Sequence, residues 1–185
     1  MELRDLVVVL DVSLSMGKGY GDLRPSKLDA SKEAILVLAD RLLKKGPNRL
    51  GIVVFYGRSL PLLPLTSDKA KILRAIYRVN FTEEGSAPGD GIIDAVKMLR
   101  SSRTGRRREV LLLTDGDINL GAPLEAALLY AFNSGVSIYT ITVGERPKTE
   151  DIYRASMKAY GWRYDHASNR SQLLSLIVRY LEGPQ

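Results

Sequence analysis

Four stretches of the chain are apolar without interruption: LVVVL (6–10), LGIVVF (50–55), VLLLT (110–114) and VSIYTITV (136–143). Runs without polar alternation suit strands covered on both faces, as in a parallel sheet. Between them the apolar residues fall at helical spacing. Leu28, Ile35, Leu38 and Leu42 form one stripe, Ile72, Ile76 and Val79 a second, and Ile92, Val96 and Leu99 a third. Leu124, Leu128 and Ala131 form a fourth, with Pro123 at its start and Gly135 just past its end. Leu173, Ile177 and Leu181 give one helical face near the C-terminus. Strands alternating with helices predict an α/β, doubly wound sheet with helices on both faces.

One stretch breaks the alternation. LPLLPLT (60–66) carries two prolines, which bar it from a central strand and predict an antiparallel edge strand. Two helices follow in succession, 68–79 and 90–101. His166, after WRYD, falls at the end of a last edge strand. Following chain direction through these elements brings three polar segments, 11–17, 83–90 and 115–119, to the edge at the carboxyl ends of the parallel strands. In open α/β sheets that edge is where ligands bind.

Composition narrows the chemistry. The chain has 185 residues, 45% hydrophobic and 26% charged, which fits one globular domain over 1–185 and excludes a disordered chain. There is no cysteine and only one histidine, so disulfides, thiolate metal sites and histidine-rich zinc sites are excluded. A formal charge of +6 favours anionic partners at long range without naming one. No apolar run is long enough to cross a bilayer, and MELRDLVVVLDVS lacks a basic leader, so a cytoplasmic protein is expected. Scarce glutamine with plentiful Lys, Arg and Glu leans toward a thermophile source.

The three polar segments supply Asp11, Ser13 and Ser15 from LDVSLSM, Ser86 from EEGSAPGDG, and Asp115 from LLLTDGD. All are oxygen donors, so the natural guest is a hard cation, Mg²⁺ or else Mn²⁺. Hydroxyls are weak neutral ligands and leave such a cation electron-poor. Carboxylates beside them orient the serines and hold water. A cation served this way favours a carboxylate from outside. A turn that is merely capped explains the first segment taken alone.

DVSLSM resembles the DxSxS motif of the von Willebrand factor A domain. GSAPGDG resembles that family's Gly-Thr-x-x-Gly segment, and LLLTDG its Thr-Asp-Gly segment. Together these form the family's metal-ion-dependent adhesion site, and the resemblance covers essentially the whole chain. PSKLDASKEA, RLGIVVF and LPLTSDK are most similar to the bacterial and archaeal aerotolerance-operon type. The resemblance implies Ser13 and Ser15 as direct ligands, Asp11 as a ligand or a water-holding carboxylate, and Asp115 as one that exchanges between direct and water-mediated contact. Ser86 stands where the family usually has threonine. It also implies a non-enzymatic interaction module that takes a partner's Glu or Asp, in an adaptor or assembly role beside a MoxR-type AAA+ ATPase. The helix near 170–182 occupies the position that shifts when such domains change affinity.

Other features carry less. Asp117, Asp90 and the glycines at 85, 89 and 116 read as loop-shaping. GKGYG (17–21) fits neither a dinucleotide nor a phosphate loop. Lys18, Arg24, Arg58, Arg146 and Lys148 form a basic rim able to steer an acidic partner. The cluster RTGRRRE (103–109) reads as a solvated loop, with a nucleic-acid face over Arg103–Arg108 as an alternative. A metal-dependent phosphatase or phosphotransfer enzyme using Asp11 or Asp115 is a further alternative. It lacks the second aspartate, where Ser13 stands.

Overall fold

The computed structural model describes residues 2–102 and 105–183. Among these residues six strands form one sheet in the order β3-β2-β1-β4-β5-β6. They are β1 (Arg4–Asp11), β2 (Arg49–Phe55), β3 (Ser59–Thr66), β4 (Arg107–Thr114), β5 (Ser137–Val143) and β6 (Arg163–Ala167). Only β3 runs antiparallel, and its pairing with β2 shifts register around Ile52, opposite the proline-bearing segment. The apolar run of β1 sits at the centre, with Leu10 beside Val54 of β2 and Leu113 of β4.

Among the described residues six α-helices cover both faces: α1 (Lys27–Lys44), α2 (Lys69–Arg78), α3 (Pro88–Arg100), α4 (Leu124–Asn133), α5 (Glu150–Ala159) and α6 (Arg170–Glu182). Alternate residues of β1 feed opposite cores. Leu6, Val8 and Leu10 pack with Ile35 and Leu38 of α1 and Ile177 of α6. Val7 and Val9 pack with Ile92 and Val96 of α3 and Leu128 of α4. Every stripe named from the sequence is buried. Helix α5 has no counterpart among them. It buries only Tyr153 and Met157, one turn apart, among polar neighbours, and so shows too short a stripe to stand out.

Helix α3 lies close on the sheet because residue 91 is glycine. A Cβ there would come 2.8 Å from Val9 Cγ1 and 3.2 Å from Phe55 Cδ1. Gly89, expected to shape a loop, also lies within α3, where a Cβ would meet the carbonyl oxygen of Ala122 at 2.2 Å.

At the lower edge Asp5 is fully buried and collects four donors. Arg49 Nε and Arg106 Nε donate to Oδ1 at 2.9 and 2.7 Å, Arg49 Nη2 donates to Oδ2 at 2.6 Å, and the Ser102 hydroxyl donates to Oδ2 at 2.5 Å. Burial alone would raise the Asp5 carboxyl, but the bonds from Arg49, Ser102 and Arg106 outweigh it and hold the group below the usual carboxylate range. This alters the picture of RTGRRRE. Arg103 lies outside the described residues, whereas Arg106 is a structural tie, Arg107 pairs with Glu109 at 3.0 Å and Arg108 donates to the Ser102 carbonyl. Glu2 and Glu182, near the two described ends, line one depression on this same edge.

Candidate functional site

The three polar segments meet at the upper edge. Past β1 the chain turns into a short 3-10 helix, Leu14–Gly17, which carries Ser15 back toward Ser13. The turn is fixed by Asp11, whose Oδ1 accepts the Ser13 N–H at 2.9 Å and whose Oδ2 accepts the Thr114 hydroxyl at 2.7 Å. Thr114 Oγ1 accepts in turn from the Gly116 N–H. Asp11 therefore ties the end of β1 to the end of β4 and is wholly buried. Burial first, and then the negative charge of Asp115, push its carboxyl above the usual range; bonds from Ser13 and Thr114 offset part of this.

The Ser13 and Ser15 hydroxyl oxygens lie 3.1 Å apart. Ser15 donates to Asp115 Oδ2 at 2.5 Å. The second oxygen of Asp115, Oδ1, is buried and has no hydrogen-bond partner. Lys27, from the first turn of α1, places its ammonium 3.0 Å from Asp115 Oδ2.

Ser86 approaches from the segment before α3. Its hydroxyl donates to the Asp117 carbonyl at 2.6 Å, its N–H donates to Asn119 Oδ1 at 2.8 Å, and its carbonyl accepts from the N–H groups of Asn119 and Leu120. Ser86 is thus a clasp between the second and third segments, with lone pairs still available on Oγ. The first and second segments are joined by Leu14 N–H to the Glu83 carbonyl and Thr82 N–H to the Val12 carbonyl. Two left-handed glycines allow the bends, Gly85 at φ 98° and Gly116 at φ 110°.

A cleft of about 270 Å³ opens here, lined in part by Ser13, Ser15, Ser86, Lys18, Asp117 and Asn119. A somewhat larger depression, about 330 Å³, lies on the opposite edge among Arg4, Arg107, Glu109 and Tyr180 and holds none of the motif residues. Of the basic rim, Lys18 lines the upper cleft; Arg24, Arg58, Arg146 and Lys148 do not. Arg146 is paired with Glu150 at 2.5 Å, Arg58 lies over the Tyr56 ring, and Arg24 donates to the Gly21 carbonyl. Asp90 shapes a loop by accepting the Ala122 N–H, as expected. Sequence reasoning missed Lys27 and Asn119. Lys27 sits 88 residues from Asp115, in the PSKLDASKEA segment whose likeness to relatives says nothing of a contact with the site.

The arrangement suits a hard cation in its donor set. The hydroxyls of Ser13, Ser15 and Ser86 line one cleft, Ser15 joins it to Asp115, and the other oxygen of Asp115 is buried without a partner, which is costly unless something binds it. Among the described residues no cluster of three His, Asp or Glu side chains could hold a metal, so a cation here would rest on the serines.

Residues 6–118 match the von Willebrand factor type A domain, and the chain belongs to that family, whose domains are protein-interaction modules. Solved structures agree in fold. The conserved hypothetical protein BatB from Bacteroides thetaiotaomicron aligns with a TM-score of 0.80 and 22% identity over 97% of this chain and 98% of its own. An aerotolerance-related membrane protein from Bacteroides fragilis gives 0.79 and 21% over 98% and 100%. Proximal thread matrix protein 1 from the mussel byssus gives 0.81 and 24% over 98% of this chain and 46% of its own. No curated protein matches the chain significantly in sequence. No helix among the described residues is long and apolar enough to cross a membrane.

Proposed function

We propose that the chain is a non-catalytic interaction module that binds a partner through a divalent cation at the upper edge. Ser13, Ser15 and Ser86 would hold Mg²⁺, or Mn²⁺, with Asp115 as direct or water-mediated ligand and Asp11 as the carboxylate that sets the serine loop. The observation that carries this is the run of contacts from the Ser13 hydroxyl through the Ser15 hydroxyl to Asp115, whose remaining oxygen is buried without a partner. When bound, the cation supplies a Lewis-acid position for a Glu or Asp of the partner. Lys18, at the cleft, is placed to attract that carboxylate.

Resemblance to aerotolerance-type relatives supports an adaptor role beside an AAA+ ATPase of the MoxR type. The geometry of Asp11 argues against a nucleophile there: both oxygens accept hydrogen bonds and the side chain is closed to solvent. Isothermal titration with MgCl₂ and MnCl₂ tests the reading. The wild type should bind one cation, and Ser15→Ala with Asp115→Ala should abolish binding. Equal binding by the double variant would remove these residues from the site.

A further inference from the structure

We propose that Lys27 is a tethered counter-cation that competes with the divalent ion for Asp115, weakens intrinsic metal binding and holds the loops together when no metal is present. This rests on the metal reading above. The Lys27 ammonium lies 3.0 Å from Asp115 Oδ2, the same oxygen that accepts from Ser15, and the two side chains are only 14% and 8% exposed. A cation placed at Ser15 therefore meets a positive charge already lodged on its carboxylate.

Three further observations show that this contact is built. Lys27 is the first residue of α1, where exposed backbone N–H groups disfavour a positive side chain. Its charge stands there against the helix, paired with Asp115. Its stem passes Gly144, at the end of β5, where a Cβ would lie 2.7 Å from Lys27 Cδ. Its backbone N–H donates to the Lys18 carbonyl at 2.9 Å, which fastens it to the loop that follows the serines.

The charge count gives the contact a role. Asp115, the ammonium and a divalent cation sum to plus two, and Asp11, whose carboxyl is pushed up, lowers that by at most one. The loaded site therefore stays positive, and without Lys27 it would be one charge lower. The lysine thus weakens metal binding and leaves the loaded site more attractive to a partner's carboxylate.

Titration calorimetry of the whole chain with MnCl₂ and MgCl₂ tests this, together with thermal melting in EDTA. Lys27→Met should bind Mn²⁺ about tenfold more tightly than wild type, an increment of about 1.4 kcal/mol, and melt lower in EDTA. Lys27→Arg should behave like wild type in binding. If wild type binds metal and Lys27→Met binds no more tightly, the lysine proposal falls alone. If neither binds at millimolar metal, it falls together with the metal reading. Should Lys27→Met fail to fold in EDTA, millimolar Mn²⁺ should restore folding where NaCl of equal ionic strength does not; no restoration overturns the proposal.

Discussion

Asp5→Asn probes the tie that fixes the lower ends of β1, β2 and β4. The carboxylate receives two donors on each oxygen. Asparagine keeps one acceptor oxygen. In the better orientation both Nε bonds survive, Arg49 Nη2 faces an amide N–H, and the Ser102 hydroxyl can turn to accept. One charge-assisted bond is lost, together with the negative charge between two guanidinium groups. Such a bond contributes about 1.5–3 kcal/mol, and breaking a buried ion pair costs about 3–5 kcal/mol. Arg49 and Arg106 keep 30% and 13% side-chain exposure, so water recovers part of that loss. The expected cost is about 3 kcal/mol, placed at the lower end of the ion-pair range. For a chain of this size that is a fall in Tm of about 6–12 °C at pH 7.

The pH dependence checks the cause. The folded Asp5 carboxyl is depressed, so its contribution is fully present above the unfolded value of about 3.9 and is lost as pH falls through the lower folded value. The Tm gap between wild type and Asp5→Asn should be constant from pH 7 to about pH 4 and close below it. Other carboxylates titrate in both proteins and cancel. A gap of less than about 2 °C at pH 7, or one that persists unchanged in acid, would refute the reasoning.

Asp11→Asn should move stability and metal binding in opposite directions. In EDTA it should melt higher, because a buried charge beside Asp115 is removed, while Mg²⁺ affinity measured by calorimetry falls about 10–100-fold. Gly91→Ala should cost about 1–3 kcal/mol in urea unfolding, since its methyl group would collide with Val9 beneath α3; a neutral result would show that α3 can lift without cost. Gly116→Ala combines a left-handed φ of 110° with a Cβ 2.3 Å from Pro147, and should lower both Tm and Mg²⁺ binding. Loss of stability with unchanged binding would separate Gly116 from the placement of Asp115.

The sheet was readable because its central strands are apolar on both faces, and short runs such as VLLLT have the length of a strand rather than of a helix. The proline pair marked the one antiparallel edge. Helix α5 escaped because two buried residues in ten do not make a period. At the site, Asp11, Ser13, Ser15, Ser86 and Asp115 were marked by local motifs. Lys27 lies in a segment quoted for its family likeness, but its role was not legible, because it depends on a carboxylate 88 residues away and on the space left by Gly144. The basic rim shows the converse. Charge was visible in sequence, but Arg146 and Arg58 are claimed by neighbours that composition cannot assign.

Glu2 and Glu182 share a depression on the edge opposite the serine cleft. A linker, tag or solid support joined at either described end would therefore leave from the far side. Held at that edge, the domain would keep the serine cleft facing outward, much as a hand is free when the arm is held at the shoulder.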